Sequence, residues 1–235
     1  MTDMSAPIEP SLQRAISRLS SPDILVDCRR ILPGDEAALT PEEASSIRSR
    51  VPRMRRASGA ARALGRELLT RLGHAPGAIP KDDSGAPRWP AGIVGSFAHD
   101  GDIAVAAVAQ NRDVGAVGID IEPAEALPDE LRELVVTPRE RPRLGDDPFQ
   151  GRLLFAAKEA VYKAVAARDG QLLDYQDIDV DLTARRARLS DGRSIDLRYS
   201  VSTHIVVLAV MPEAAAPLAA ATAQRSSALA VPPLP

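Results

Sequence analysis

Cysteine, histidine and aromatic side chains are all scarce in this chain, and each shortage closes a route. One cysteine, Cys28, among 235 residues excludes an internal disulfide framework and a cysteine-based zinc cluster. Aromatics make up 3% and apolar residues 45%, so a core has to be built from Ala, Val, Leu and Ile. A net charge of -3 gives no overall attraction to nucleic acid or to an anionic membrane. Apolar runs are short: the longest, 205–211, has strand length and falls well below the ~20 residues of a membrane span. No secretory signal stands at Met1. These absences point to a soluble cytoplasmic protein, either one generous domain or two small ones sharing an interface.

What is present is organised around Val117-Gly118-Ile119-Asp120-Ile121-Glu122. In an extended strand side chains alternate between faces, so Val117, Ile119 and Ile121 point one way and Gly118, Asp120 and Glu122 the other. Two carboxylates then share a face with no cation in the strand to neutralise them. Gly118 leaves room for something to approach closely. Hard oxygen ligands one residue apart suit Mg²⁺. The same hexapeptide also reads as a half-buried strand with its polar face in water.

The rest of the chain narrows the choice. A Ser/Pro-rich segment, 1–22, with a short helix around 12–19, leads to a strand at 24–28. Thr40-Pro41-Glu42-Glu43 is a helix start, with Thr as N-cap, Pro at the first helical position and acids in the first turn. Beyond it, Arg48, Arg50, Arg53, Arg55, Arg56, Arg62, Arg66 and Arg71 face a single acid, Glu67. Arg62 and Arg66 share a face of a helix whose Leu64, Leu68, Leu69 and Leu72 point inward. Guanidinium groups grip phosphate bidentately, so the cluster reads as an anion site, against the plainer reading of a solvated basic face. Nucleic acid fits poorly because no aromatic residue is interleaved to stack on bases. A Gly/Pro-rich loop carrying Lys81 follows, then a short strand at 93–96, a turn at 97–102 holding His99, and an apolar strand at 103–109. His99 is structural on position alone; beside phosphate it would be a switchable cationic donor.

Five prolines punctuate 123–150, which predicts a long, exposed, irregular connection with one helix turn near 130–134. In the helix predicted over 152–168, Leu154, Ala157, Val161, Ala164 and Val165 form one stripe, with Glu159 almost opposite it. Glu159 and Lys163 make an i,i+4 pair, ordinarily the mark of a solvent face. Phe155 and Tyr162 flank the pair, however, which suggests a carboxylate and two lysines, Lys158 and Lys163, in a partly enclosed place. Asp191-Gly192 signals a hairpin, His204 reads as structural for want of charged company, and 213–235 reads as a flexible tail. A faint echo between 96–99 before one apolar strand and 200–204 before the other suggests two similar halves.

Three stretches taken together resemble the 4'-phosphopantetheinyl transferases: Gly95-Ser96-Phe97-Ala98-His99, Gly118-Ile119-Asp120-Ile121-Glu122 and Phe155-Ala156-Ala157-Lys158-Glu159-Ala160-Val161-Tyr162-Lys163. Their order and the Lys81 loop look most like the larger, two-lobed branch that activates surfactin, enterobactin and other peptide, polyketide and siderophore synthases. The resemblance implies an α+β fold of two pseudo-symmetric α/β halves, 23–115 and 116–212, each a small, mostly antiparallel sheet packed on a long helix, with a cofactor cleft between them. It implies transfer of the phosphopantetheine arm of coenzyme A to a serine of an apo acyl or peptidyl carrier protein, with a monomeric enzyme. It implies further that Asp120, Glu122 and Glu159 hold Mg²⁺, and that Glu159 is the base, directly or through a metal-bound water. Lys163 would stabilise the departing charge with Lys158 in support, and Ser96 and His99 would contact a coenzyme A phosphate. Arg62, Arg66 and Lys81 match adenosine-phosphate positions, with Arg55 and Arg56 near another. Ala98 departs from the family, where Ser or Thr is common. Residues 124–150, with Arg139, Arg141 and Arg143, are the expected carrier-docking region. A coenzyme A or nucleotide-binding module without turnover and a Mg²⁺-dependent phosphatase are the alternatives.

Overall fold

The computed structural model describes residues 8–213; apart from Glu213, the tail expected over 213–235 lies outside the described residues. The first half supplies α1 (Pro10–Ser17), β1 (Ile24–Arg30), α2 (Pro41–Ser46), α3 (Pro52–Arg71), β2 (Ile93–Asp100) and β3 (Ile103–Gln110). The second supplies β4 (Ala116–Pro123), α4 (Asp129–Val135), α5 (Gln150–Asp169), β5 (Ile178–Asp181), β6 (Arg186–Leu189), β7 (Ser194–Val201) and β8 (His204–Met211). Two antiparallel sheets result, in the orders β1-β3-β2 and β4-β8-β7-β6-β5. Setting β1-β3-β2 beside β4-β8-β7 exposes a repeated plan of strand, long helix and hairpin, to which the second half adds β5 and β6. The two halves suggested by the sequence echo are therefore real at the level of topology.

Local chemistry explains the elements. The Thr40 hydroxyl accepts from the Glu43 N–H while the Glu43 carboxylate accepts from the Thr40 N–H, closing a capping box at the start of α2. Strand β2 runs on to Asp100, so the turn expected over 97–102 shrinks to Gly101-Asp102, with Gly101 at φ +53°. Strand β3, apolar from Ile103 to Ala109 and buried, needs antiparallel partners along its length, and that demand outweighs the turn chemistry around His99. Nor is 124–150 wholly exposed: α4 packs on α5, and Val135, Val136, Thr137 and Glu140 are buried.

The stacking is helix, sheet, sheet, helix. Leu64, Leu68 and Leu69 of α3 cover one face of the first sheet at Ala106 and Val108. Its other face, through Val105 and Ala107, meets Val117, Ile119 and Ile121 of β4 and Val206 and Leu208 of β8. The far face of the second sheet packs under Ala157, Ala160 and Ala164 of α5. Small side chains throughout keep these layers close, as the shortage of aromatics requires. No helix among the described residues is long and apolar enough to cross a membrane.

Gly118 does admit a close approach, but the visitor is the protein's own helix. A Cβ there would collide with the Ala160 carbonyl oxygen and stand 2.7 Å from the Ala164 nitrogen, both backbone atoms of α5. Gly118→Ala is therefore expected to destabilise the fold by about 3 kcal/mol or more. Chemical denaturation of the variant checks this; an unchanged midpoint would show that α5 can withdraw from β4 at little cost.

Candidate functional site

Contact between β4 and α5 decides where the acids go. Lys163 Nζ donates to Asp120 Oδ1 at 2.7 Å and to the Ile119 carbonyl at 3.1 Å. Arg152 Nη1 donates to Glu122 Oε2 at 2.9 Å. The cations missing from the strand thus come from the helix above it. Asp120 is 6% exposed, and its Oδ2 is buried with no hydrogen-bond partner among the described residues. Burial pushes the Asp120 carboxyl up to about 6, with Glu122 and Glu159 adding to the rise and Lys163 opposing it. Burial also raises Glu122, against the pull of Arg152.

Glu159 and Lys163 do not pair along the helix as expected. Lys163 is drawn to the strand, and Glu159 Oε1 accepts a hydrogen bond of 2.6 Å from the Tyr175 hydroxyl. Among the described residues no group of three or more His, Cys, Asp or Glu side chains stands ready to hold a metal ion. Glu122 and Glu159 both add to the rise at Asp120, yet each of the three already has a protein partner: Lys163 for Asp120, Arg152 for Glu122 and Tyr175 for Glu159.

Lys158 departs furthest from expectation. It is fully buried, donates to the carbonyls of Val135 and Tyr175 at 2.8 Å each, and pairs with Glu140 at 2.9 Å. Glu140, itself buried, accepts from the backbone N–H groups of Thr137 and Val180. The pair clamps the connection after β4 and the turn before β5 onto α5. The Lys158 ammonium is thus taken up by protein partners, although the side chain also lines the cleft beside Glu159.

The first-half candidates divide in the same way. Arg62 is 3% exposed, donates to the carbonyls of Ile79 and Ser58, and lies over the Phe97 ring. Arg66 is held by the buried Glu43 carboxylate at 2.6 Å and by the Ala38 carbonyl. Their shared face braces α2 and the 79–81 segment. Arg55 turns to the Ile47 and Ser49 carbonyls, whereas Arg56 lines a cleft with His99. Arg53 lines it too; the sequence places it in the arginine cluster read as an anion site, but the family resemblance gives it no phosphate position of its own. His99 is held below its ordinary value by burial first and then by Lys163, with Arg53 and Lys81 adding to the effect and Asp100 opposing it. Buried Ser96 accepts from the Ile119 N–H at 3.1 Å, stitching β2 to β4. His204 has charged company after all, since its Nε2 lies 3.6 Å from Asp100 Oδ2. Of the supposed docking arginines, Arg143 is paired with Asp179 and Asp181.

Four clefts follow one another along this surface, each sharing wall residues with the next. The first, about 470 Å³, holds Arg53, Arg56 and His99 and shares Met54 with a second of about 180 Å³ at Lys81. The second shares Ser84 and Gly85 with a third of about 270 Å³ lined by Ser96, Lys163 and Tyr162. Tyr162 also walls the fourth, about 270 Å³, beside Glu159 and Tyr175. Arg53, Arg56 and Lys81 at one end, set among Asp82, Asp83, Asp100 and Asp102, and Glu159 at the other suit a long ligand with its phosphates at the arginine end.

Comparison with known proteins fits this arrangement. Residues 42–109 match the 4'-phosphopantetheinyl transferase N-terminal domain and residues 116–221 the 4'-phosphopantetheinyl transferase superfamily. The chain is 36% identical over 215 residues to 4'-phosphopantetheinyl transferase Svp of Streptomyces mobaraensis, covering 83% of this chain and 86% of that one. This chain belongs to the 4'-phosphopantetheinyl transferase superfamily. Further relatives are 4'-phosphopantetheinyl transferase Npt of Nocardia iowensis, 42% identical over 53% of this chain and 57% of that one, and 4'-phosphopantetheinyl transferase PptT of Mycobacterium tuberculosis, 37% identical over 62% and 67%. The resemblance read from three short motifs is therefore confirmed, including the larger branch, and the chain is a 4'-phosphopantetheinyl transferase.

Within this transferase the two lysines of the Lys158–Lys163 segment have separable duties. Replacing Lys158 with Met leaves Glu140 as an uncompensated buried charge, a loss of about 3–5 kcal/mol. Lys158→Met should thus lower the unfolding midpoint sharply. A variant with undiminished stability but lost turnover would return Lys158 to the phosphate.

Proposed function

We propose that this transferase moves the 4'-phosphopantetheine arm of coenzyme A onto a serine of an apo acyl or peptidyl carrier protein and releases adenosine 3',5'-bisphosphate. The observation that carries the reading is Asp120, buried, anchored by Lys163 through one oxygen and without a partner among the described residues at the other. A buried carboxylate oxygen without a donor is costly unless a ligand supplies the missing partner. It fits Mg²⁺, which Asp120 would hold with Glu122 and Glu159 and which, when bound, would neutralise the diphosphate.

Phosphoryl transfer depends on positioning and charge more than on covalent help. Arg53, Arg56, His99 and Lys81 form the cationic end of the groove and take the adenosine phosphates. Arg62 and Arg66 support that end by bracing α2 and the Lys81 loop. At the other end, Glu159 accepts the serine proton as the serine oxygen bonds to the β-phosphorus. The bond from that phosphorus to the bridging oxygen breaks, and Lys163 stabilises the charge left on the bisphosphate.

Mass spectrometry of an apo carrier mixed with the protein, coenzyme A and Mg²⁺ tests the reading. The expected result is a carrier heavier by the pantetheine arm, abolished by Asp120→Ala. Loss of coenzyme A without carrier gain would mark a phosphatase, and neither change a binding module.

His99 adds a pH signature. A phosphate beside it would raise a pKa that the unliganded fold depresses, so binding takes up a proton between the two values. Affinity should be greatest where His99 is protonated and fall as pH rises through that window. Calorimetry in buffers of different ionisation heat should show more proton uptake near pH 6.5, the ordinary histidine value, for the wild type than for His99→Gln. Equal uptake by both would remove His99 from the phosphate.

A further inference from the structure

Tyr175 is fixed more firmly than a half-buried tyrosine on a connecting turn requires. It opens the short 3-10 turn Tyr175–Asp177, which a capping box closes: Asp174 accepts from the Gln176 N–H, and Asp177 accepts from the Asp174 N–H. The Tyr175 carbonyl is gripped by buried Lys158, which Glu140 holds in turn. Its ring rests against Phe155, centroids 6.0 Å apart. Turn, carbonyl and ring together fix the phenol, and its oxygen lies 2.6 Å from Glu159 Oε1, where it donates. A phenylalanine would satisfy the packing equally well. The hydroxyl has one partner among the described residues, and that partner is the groove's carboxylate.

We infer that Tyr175 is a positioning residue for Glu159: by holding one carboxylate oxygen it presents the other to the incoming carrier serine. The inference rests on the reading of Glu159 as the base. Lys158 enters at one remove, because it sets the turn that carries the phenol. Glu159 is a long side chain on a half-exposed face, so without this bond it would sample several rotamers, most of them unproductive. Orientation of this kind acts on the chemical step and leaves the coenzyme's affinity alone.

The test uses the full chain with coenzyme A, Mg²⁺ and an apo carrier. Tyr175→Phe removes one oxygen and keeps the ring. It should lower kcat about tenfold. The KM for coenzyme A should stay within about twofold, as should the metal-free coenzyme A affinity measured by calorimetry. In a Glu159→Gln background, adding Tyr175→Phe should cost nothing further, since both changes act through one group. An inactive Glu159→Gln beside a Tyr175→Phe with wild-type kcat would overturn the inference and leave Glu159 in place. So would equal losses from Tyr175→Phe in both backgrounds, or a loss confined to KM. A fully active Glu159→Gln would instead remove the reading of Glu159, and the inference with it.

Discussion

The whole arrangement depends on how closely β4 lies beneath α5. Gly118 in the strand and Ala160 and Ala164 in the helix leave no side chain between the two backbones. At that separation a lysine on the helix reaches an aspartate two residues along the strand, and an arginine nearer the start of the helix reaches the glutamate two residues further on. A bulkier contact would lift the helix and separate both pairs. The pairs do little to hold the layers together, since burying two charges costs about as much as their attraction returns. Packing of small apolar residues holds the layers. The charges are positioned by that packing, which is the order expected when a polar group serves a ligand.

A composition poor in aromatics makes such closeness feasible. Sheets faced with Ala and Val stack through thin layers, and the inner edge of the first half can be stitched to β4 by a hydroxyl, Ser96 to the Ile119 N–H. Several large rings lie at the margins of the core next to polar side chains: Phe97 beneath Arg62 with Trp89 tilted against it, and Tyr175 beside Glu159 with Phe155 against it. They pack against the core on one side and give polar side chains a rigid surface on the other.

Much of this was legible in the sequence because it is local. The two faces of β4, the Thr40 N-cap, the apolar stripe on α5 and the Asp191-Gly192 turn each need only neighbouring residues to be read, and each took its expected form. Membership of the family was legible for a related reason, three motifs in fixed order. What escaped depends on partners far along the chain. Glu43 reads as a helix-start acid, yet it is buried against Arg66 and the Ile79 N–H, 23 and 36 positions away. Arg62 and Arg66 were rightly placed on one face, but nothing local says that this face meets protein. Asp100 and His204 come together only because two hairpins from different halves end side by side.

Lys158 and Lys163 put the limit most clearly. Five residues apart on one helix, they point about 140° away from each other at 100° per residue. That angle follows from sequence; the surroundings on either side do not. One direction leads to Glu140 and two carbonyls, where burial works against the ammonium charge and the carboxylate opposes that effect. The other leads to Asp120, and Lys163 itself lines the cleft at Ser96. Exchanging the two neighbourhoods would exchange the two duties without changing a residue of the helix. The role of a charged side chain here is set by what the rest of the chain folds against it, and a helix buried on both sides can build a clamp with one lysine and set the other against Asp120.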